Sequence, residues 1–126
     1  MFCYNKIMEI VIPDFKAPSL NKSYAGRHWS KRKAEADEIH DLVWVYIQKG
    51  NFKSIKEFPV DTKITAYYKD KRRRDSNNIS DKELIDGLVM AKLIPDDSTE
   101  YIRYSSTRAV IGADENKVEI TIDSVK

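Results

Sequence analysis

Between Val60 and Tyr68 the sequence sets Val60, Thr62, Ile64, Ala66 and Tyr68 at alternate positions, with Thr65 and Tyr67 between them. A period of two belongs to a strand whose two faces differ, and a sheet built from such strands needs a second layer to cover its apolar side. That layer is written earlier in the chain. Ser30 suits a helix N-cap, and Ala36, Ile39, Val43, Tyr46 and Ile47 recur at three- and four-residue steps until Gly50 stops the run. A second helix is expected from about Ile79 to Lys92, with Ile85, Leu88 and Val89 as its apolar stripe, Asn78 or Ser80 near its cap and Pro95 closing the region. Met8 to Pro13 reads as a first strand. Tyr101 to Ile111 and Lys117 to Val125, separated by Gly112-Ala113-Asp114-Glu115-Asn116, read as an antiparallel hairpin in which Val118, Ile120 and Ile122 alternate. The order β-α-β-α-β-β predicts a two-layer α/β arrangement of the α+β class, a mixed sheet packed with two main helices. With 126 residues the chain suits one domain, residues 1–126. The stretch from Asp14 to Arg27, with Pro18, Ser19, Asn21, Ser23 and Gly26, is a long loop, and long loops in small domains are often functional.

Net charge is only +2, from 22 Lys and Arg against 20 Asp and Glu, so its distribution matters more than its sum. Basic residues concentrate in Arg27-His28-Trp29-Ser30-Lys31-Arg32-Lys33 and in Lys69-Asp70-Lys71-Arg72-Arg73-Arg74. Such patches in a near-neutral protein suit phosphate binding, and equally a solvated surface. No apolar run reaches the ~20 residues that span a bilayer, and the first residues lack a signal peptide's apolar core, so no membrane partner is expected and the cytoplasm is the expected compartment. A lone Cys3 cannot close an intramolecular disulfide, and His28 and His40 have no spacing suggesting structural zinc.

The segment richest in chemistry begins with Arg72-Arg73-Arg74-Asp75-Ser76-Asn77-Asn78, where a strand hands over to a helix, and ends with Asp96-Asp97 beyond that helix. A helix of about fourteen residues extends roughly 20 Å, so the two acidic points meet only if the fold returns. Brought together, the carboxylates would make a hard-oxygen site for magnesium or manganese, which activates water for phosphodiester hydrolysis. The neighbouring arginines would offset repulsion of a polyanion. Lys82, four residues after Asn78 on the same helix face, would steady charge in the transition state, and Asp86 continues that face. Taken singly, each of these residues also serves as an ordinary turn, loop or surface residue.

In combination the segment resembles the RusA family of Holliday junction resolvases. That family carries a basic run leading into Asp-x-Asp-Asn, then a helix lysine, an Asp-Gly-Leu or Asp-Ala-Leu triplet and an Asp-Asp or Asn-Asp pair. Here these fall at Arg72 to Asn78, Lys82, Asp86-Gly87-Leu88 and Asp96-Asp97, and Ala17-Pro18-Ser19-Leu20-Asn21 is similar to the family's N-terminal Pro-Ser-x-Asn. The resemblance covers most of the chain. It implies a magnesium- or manganese-dependent endodeoxyribonuclease of phage type, a homodimer that places paired nicks in four-way DNA junctions. By that resemblance Asp75 and Asp97 are metal ligands, Asp96 an adjacent acidic group and Lys82 a catalytic helper. Lys31, Arg32, Lys33, Arg72, Arg73 and Arg74 are the candidate DNA contacts. A two-fold enzyme also suits a near-two-fold substrate cut on opposed strands.

The chain departs from the family at Asn77, which stands where the motif has its second aspartate. An amide oxygen still ligates a metal but adds no charge, so metal affinity falls. A weakened or inactive homologue that binds junctions without cutting them therefore remains an alternative. A third reading is a small RNA-binding protein or ribonuclease in which Trp29, Tyr67 and Tyr68 stack on bases.

Overall fold

The structure, a computed structural model, describes residues 4–18 and 29–125. Its elements follow the expected order: β1 (Tyr4–Pro13), α1 (Trp29–Lys49), β2 (Val60–Tyr68), a 3-10 turn (Ser76–Asn78), α2 (Lys82–Met90), β3 (Ile102–Ile111) and β4 (Lys117–Val125). The long loop expected after Asp14 falls largely outside the described residues. Among them no helix is long and apolar enough to cross a membrane.

The four strands form one mixed sheet in the order β1-β4-β2-β3. β4 runs antiparallel to both neighbours, with Ile120 opposite Ile10 on one side and Ile64 on the other, while β2 and β3 are parallel. Parallel neighbours require a crossover, and the segment containing α2 supplies it. The expected β3–β4 hairpin is therefore not formed. The short connection after β3 instead passes the end of β2, where the N–H groups of Gly112 and Ala113 donate to the carbonyls of Asp70 (2.8 Å) and Tyr68 (3.0 Å), and Asn116 Oδ1 accepts from the N–H of Lys69 (2.8 Å). Composition explains the choice. β4 buries Val118, Ile120 and Ile122 and takes a central place, whereas the polar β3 suits an edge.

Alternate residues of β2, from Val60 to Tyr68, are buried with Ile10 and Ile12 of β1 and the inward residues of β4. They join Ile39, Val43 and Ile47 of α1 and Leu84, Ile85 and Leu88 of α2 in one core. On the opposite face Lys63 is exposed and Thr65, Tyr67 and Glu119 are half-buried.

Both helices end in the same way. In α1 the N–H of Phe52 donates to Ile47 O (3.2 Å) and that of Asn51 to Gln48 O (3.1 Å). In α2 Leu93 donates to Leu88 O (3.0 Å) and Lys92 to Val89 O (2.9 Å). These are Schellman closures, and their left-handed residues are Asn51 (φ 53) and Lys92 (φ 62). Gly50, the expected stop, serves a different need: a Cβ there would lie 2.3 Å from the Phe52 ring that folds over it. The expected second helix is shorter at its start, with Asp81 rather than Asn78 or Ser80 as its N-cap, because the Asn78 N–H donates to Asp75 O within the 3-10 turn and the Ser80 N–H to Pro18 O.

Candidate acidic and basic site

The basic run begins where β2 leaves the sheet, and its orientation is set by the one acid inside it. Asp70 Oδ2 accepts from Arg74 Nη2 at 2.9 Å and lies 3.6 Å from Lys16 Nζ, while Oδ1 accepts from the Arg72 N–H at 3.1 Å. The Arg74 hydrogen bond, aided by the Arg72 N–H and the charges of Arg74 and Lys16, holds the Asp70 carboxyl below its ordinary pKa despite some desolvation. The Arg74 guanidinium lies 3.7 Å from the centre of the Tyr68 ring, its side chain only 17% exposed and its Nε buried without a hydrogen-bond partner. Tyr68 is fully buried and donates its hydroxyl to Ala17 O at 2.9 Å. Burial pushes that hydroxyl's pKa up. Of the three consecutive arginines, Arg72 and Arg73 face solvent and Arg74 turns inward. Lys31, Arg32 and Lys33 are exposed near the start of α1, where Lys33 pairs with Asp37 at 3.0 Å.

Asp75 is exposed immediately before the 3-10 turn, and its carbonyl accepts from the Asn78 N–H at 2.9 Å. The next residue stitches the turn to the sheet edge: Ser76 Oγ accepts from the Ala109 N–H (3.0 Å) and Ser76 O from Thr107 Oγ1 (2.7 Å). The Asn77 backbone belongs to this turn, and its side chain lies outside the described residues. Ser80 N–H donates to Pro18 O at 3.1 Å, so the Ala17-Pro18 segment rests beside the acidic motif. Ser19 to Asn21 lie outside the described residues. Ser80 Oγ donates to Glu83 at 3.1 Å, and Asp81 accepts from Ser105 Oγ at 3.0 Å, which ties the start of α2 to β3.

Lys82 opens α2 and is exposed; one turn on, Asp86 is half-buried. Desolvation raises the Asp86 pKa, with Lys82 and His40 opposing the shift and Asp97 and Glu83 adding to it. Asp97, eleven positions further on and beyond the helix end, therefore acts on Asp86. Asp96 and Asp97 are both exposed. His40 was not singled out by its sequence context, although it precedes Val43 by three residues and shares that buried helix face. Both its ring nitrogens are buried without a hydrogen-bond partner. The signal that would have found it is a polar residue within an apolar helical stripe. Gly87 allows α2 to approach α1 here, since a Cβ would lie 2.9 Å from Val43 Cβ.

Carboxylates of Asp75, Asp96 and Asp97 are the donor type that magnesium or manganese prefers. Among the described residues, however, no three His, Cys, Asp or Glu side chains are gathered as a metal-binding group. Magnesium is commonly held by one or two carboxylates, with water and substrate phosphate completing its shell. Of the aromatics considered for base stacking, Tyr68 is enclosed in the core, Tyr67 donates to Glu119 at 3.1 Å beneath Lys117, and the Trp29 side chain lies outside the described residues. Comparison with known proteins finds no family model and no curated protein that matches the chain.

Proposed function

We propose that this protein is a structure-selective endodeoxyribonuclease that binds four-way DNA junctions as a homodimer and nicks them with magnesium or manganese. The observation that supports the reading is a backbone hydrogen bond from Ser80, between Asn78 and Lys82, to Pro18, beside Lys82 and Asp86 one turn apart on α2 and the influence of Asp97 on Asp86. Asp75 and Asp97 are the proposed ligands, with Asp96 and Asn77 adjoining. A bound divalent ion would activate water and offset charge on the leaving oxygen. Exposed Arg72 and Arg73, with Lys31 to Lys33, meet the phosphate backbone, and Lys82 balances negative charge at Asp86.

Junction binding without cleavage is the second reading, favoured by the neutral Asn77, which adds no charge to a metal site. One assay separates the two. Purified protein with magnesium or manganese is expected to nick a synthetic four-way junction and to spare linear duplex. Asn77→Asp adds a charged ligand with little change in volume; a gain of ~1.4 kcal/mol would tighten metal binding about tenfold and raise nicking at limiting magnesium. Junction binding with no nicking by either form at saturating metal supports the non-catalytic reading, and no junction binding at low salt rejects both.

A further inference from the structure

We propose that Arg74 and Ser76 are positioning residues that together hold Asp75 in place, and that Arg74, unlike Arg72 and Arg73, does not contact DNA. This inference deepens the nuclease reading and rests on it for its consequence, though not for its geometry. Asp75 lies on an irregular segment between a strand and a helix, where nothing in regular secondary structure fixes its direction. Its two neighbours anchor the backbone on which it stands. On one side the Arg74 guanidinium lies over the Tyr68 ring, 3.7 Å from its centre, and its Nη2 donates to Asp70 Oδ2 at 2.9 Å. Tyr68 is a core residue and Asp70 is itself bonded to Gly112, so this anchor is part of the sheet end. On the other side Ser76 is joined to β3 twice, through its hydroxyl to Ala109 and its carbonyl to Thr107. The Asn78 N–H then closes the turn on the Asp75 carbonyl. A carboxylate carried on backbone so braced loses less freedom on taking a ligand, which raises affinity without any new contact.

The same geometry withdraws Arg74 from solution. Its planar group is stacked and paired, a role that a lysine cannot reproduce because it lacks the flat face and the fork of donors. A phosphate contact, by contrast, retains most of its effect when Arg becomes Lys.

The test uses the full chain with Arg74→Lys, Arg74→Ala, Ser76→Ala, Ser76→Thr and Arg73→Ala. Backbone amide exchange is measured without metal or DNA. Faster exchange at Asn78 in Arg74→Lys and Ser76→Ala, with Ser76→Thr close to the parent and the Ile102 amide protected throughout, is the expected result. Unchanged exchange at Asn78 in both variants overturns the bracing of Asp75. Manganese is then titrated without DNA while its paramagnetic broadening of residues 75–78 is followed. Arg74→Lys and Ser76→Ala are expected to need about tenfold more manganese, with rescue by Ser76→Thr; equal titrations for all forms overturn the link from bracing to ligand affinity. Metal-free junction binding across salt decides the DNA claim. Arg73→Ala should lower the log–log slope by about 0.7–0.9, one phosphate's worth, and Arg74→Ala should leave it unchanged. A fall of that size for Arg74→Ala overturns the assignment. If the parent binds neither manganese nor junction, the nuclease reading fails while the exchange result still decides whether Asp75 is braced.

Discussion

Asp86 and Asp70 are titrated in opposite directions by their surroundings, and the contrast gives a direct check on both. Desolvation lifts the Asp86 pKa above its ordinary 3.8 in the folded protein. Its ionised form therefore opposes folding: the cost is absent below the unfolded-state pKa and grows as pH rises through the folded-state one. Asp86→Asn should raise Tm at neutral pH in chelator-treated buffer, and the gain should fade as pH falls toward 3.8. For Asp70 the folded-state pKa is depressed, first by the Arg74 hydrogen bond, so its contribution is present above 3.8 and is lost as pH falls through the folded value. Asp70→Asn should lower Tm at neutral pH and converge with the parent in acid. Melting curves against pH in which both variants shift the same way would contradict these environments. At this scale Asp75, Asp97 and Lys82 were legible as candidates because their spacing along the chain is itself a pattern. His40 was not, since a lone histidine has no local partner and its relation to Asp86 exists only across two helices.

The contact between α1 and α2 turns on Gly87. Helix propensity alone favours alanine there by about 0.8–1 kcal/mol. The added methyl would meet Val43 Cβ at 2.9 Å, however, and Cβ is fixed to the backbone rather than at the end of a flexible side chain. Overpacking of this kind costs about 1–3 kcal/mol, so Gly87→Ala should destabilise the protein by about 1 kcal/mol net. Combining it with Val43→Ala should recover part of the loss, with a coupling of about 0.5–3 kcal/mol in a urea-denaturation cycle. Additive effects would show that the helices do not meet at this point. The helix ends carry a related lesson. Gly50 was expected to stop α1 by its conformational freedom, yet Asn51 takes the left-handed position and Gly50 makes room for Phe52. Both readings place the boundary correctly, and only the packing distinguishes their causes.

Across the whole molecule, the strand order is the feature that most alters the expected picture. With β4 between β1 and β2, Ile120 is enclosed by both neighbours and the helices, whereas Val110 lies half-buried on the edge strand β3. Ile120→Ala should cost about 2–5 kcal/mol by chemical denaturation, the range for a filled core position. Val110→Ala should cost less than about 1 kcal/mol. Comparable losses at the two sites would argue against a central β4. The sequence by itself determined the class, the element order and the inward faces of β2 and β4, because periodicity acts between residues close along the chain. The tertiary structure alone decided that β3 and β4 are separated by β2, that Arg74 turns into the fold while Arg72 and Arg73 face solvent, and that His40 and Asp97 both act on Asp86. Each of those outcomes depends on which distant surfaces bury the most apolar area and satisfy the most polar groups, a competition that no local pattern encodes.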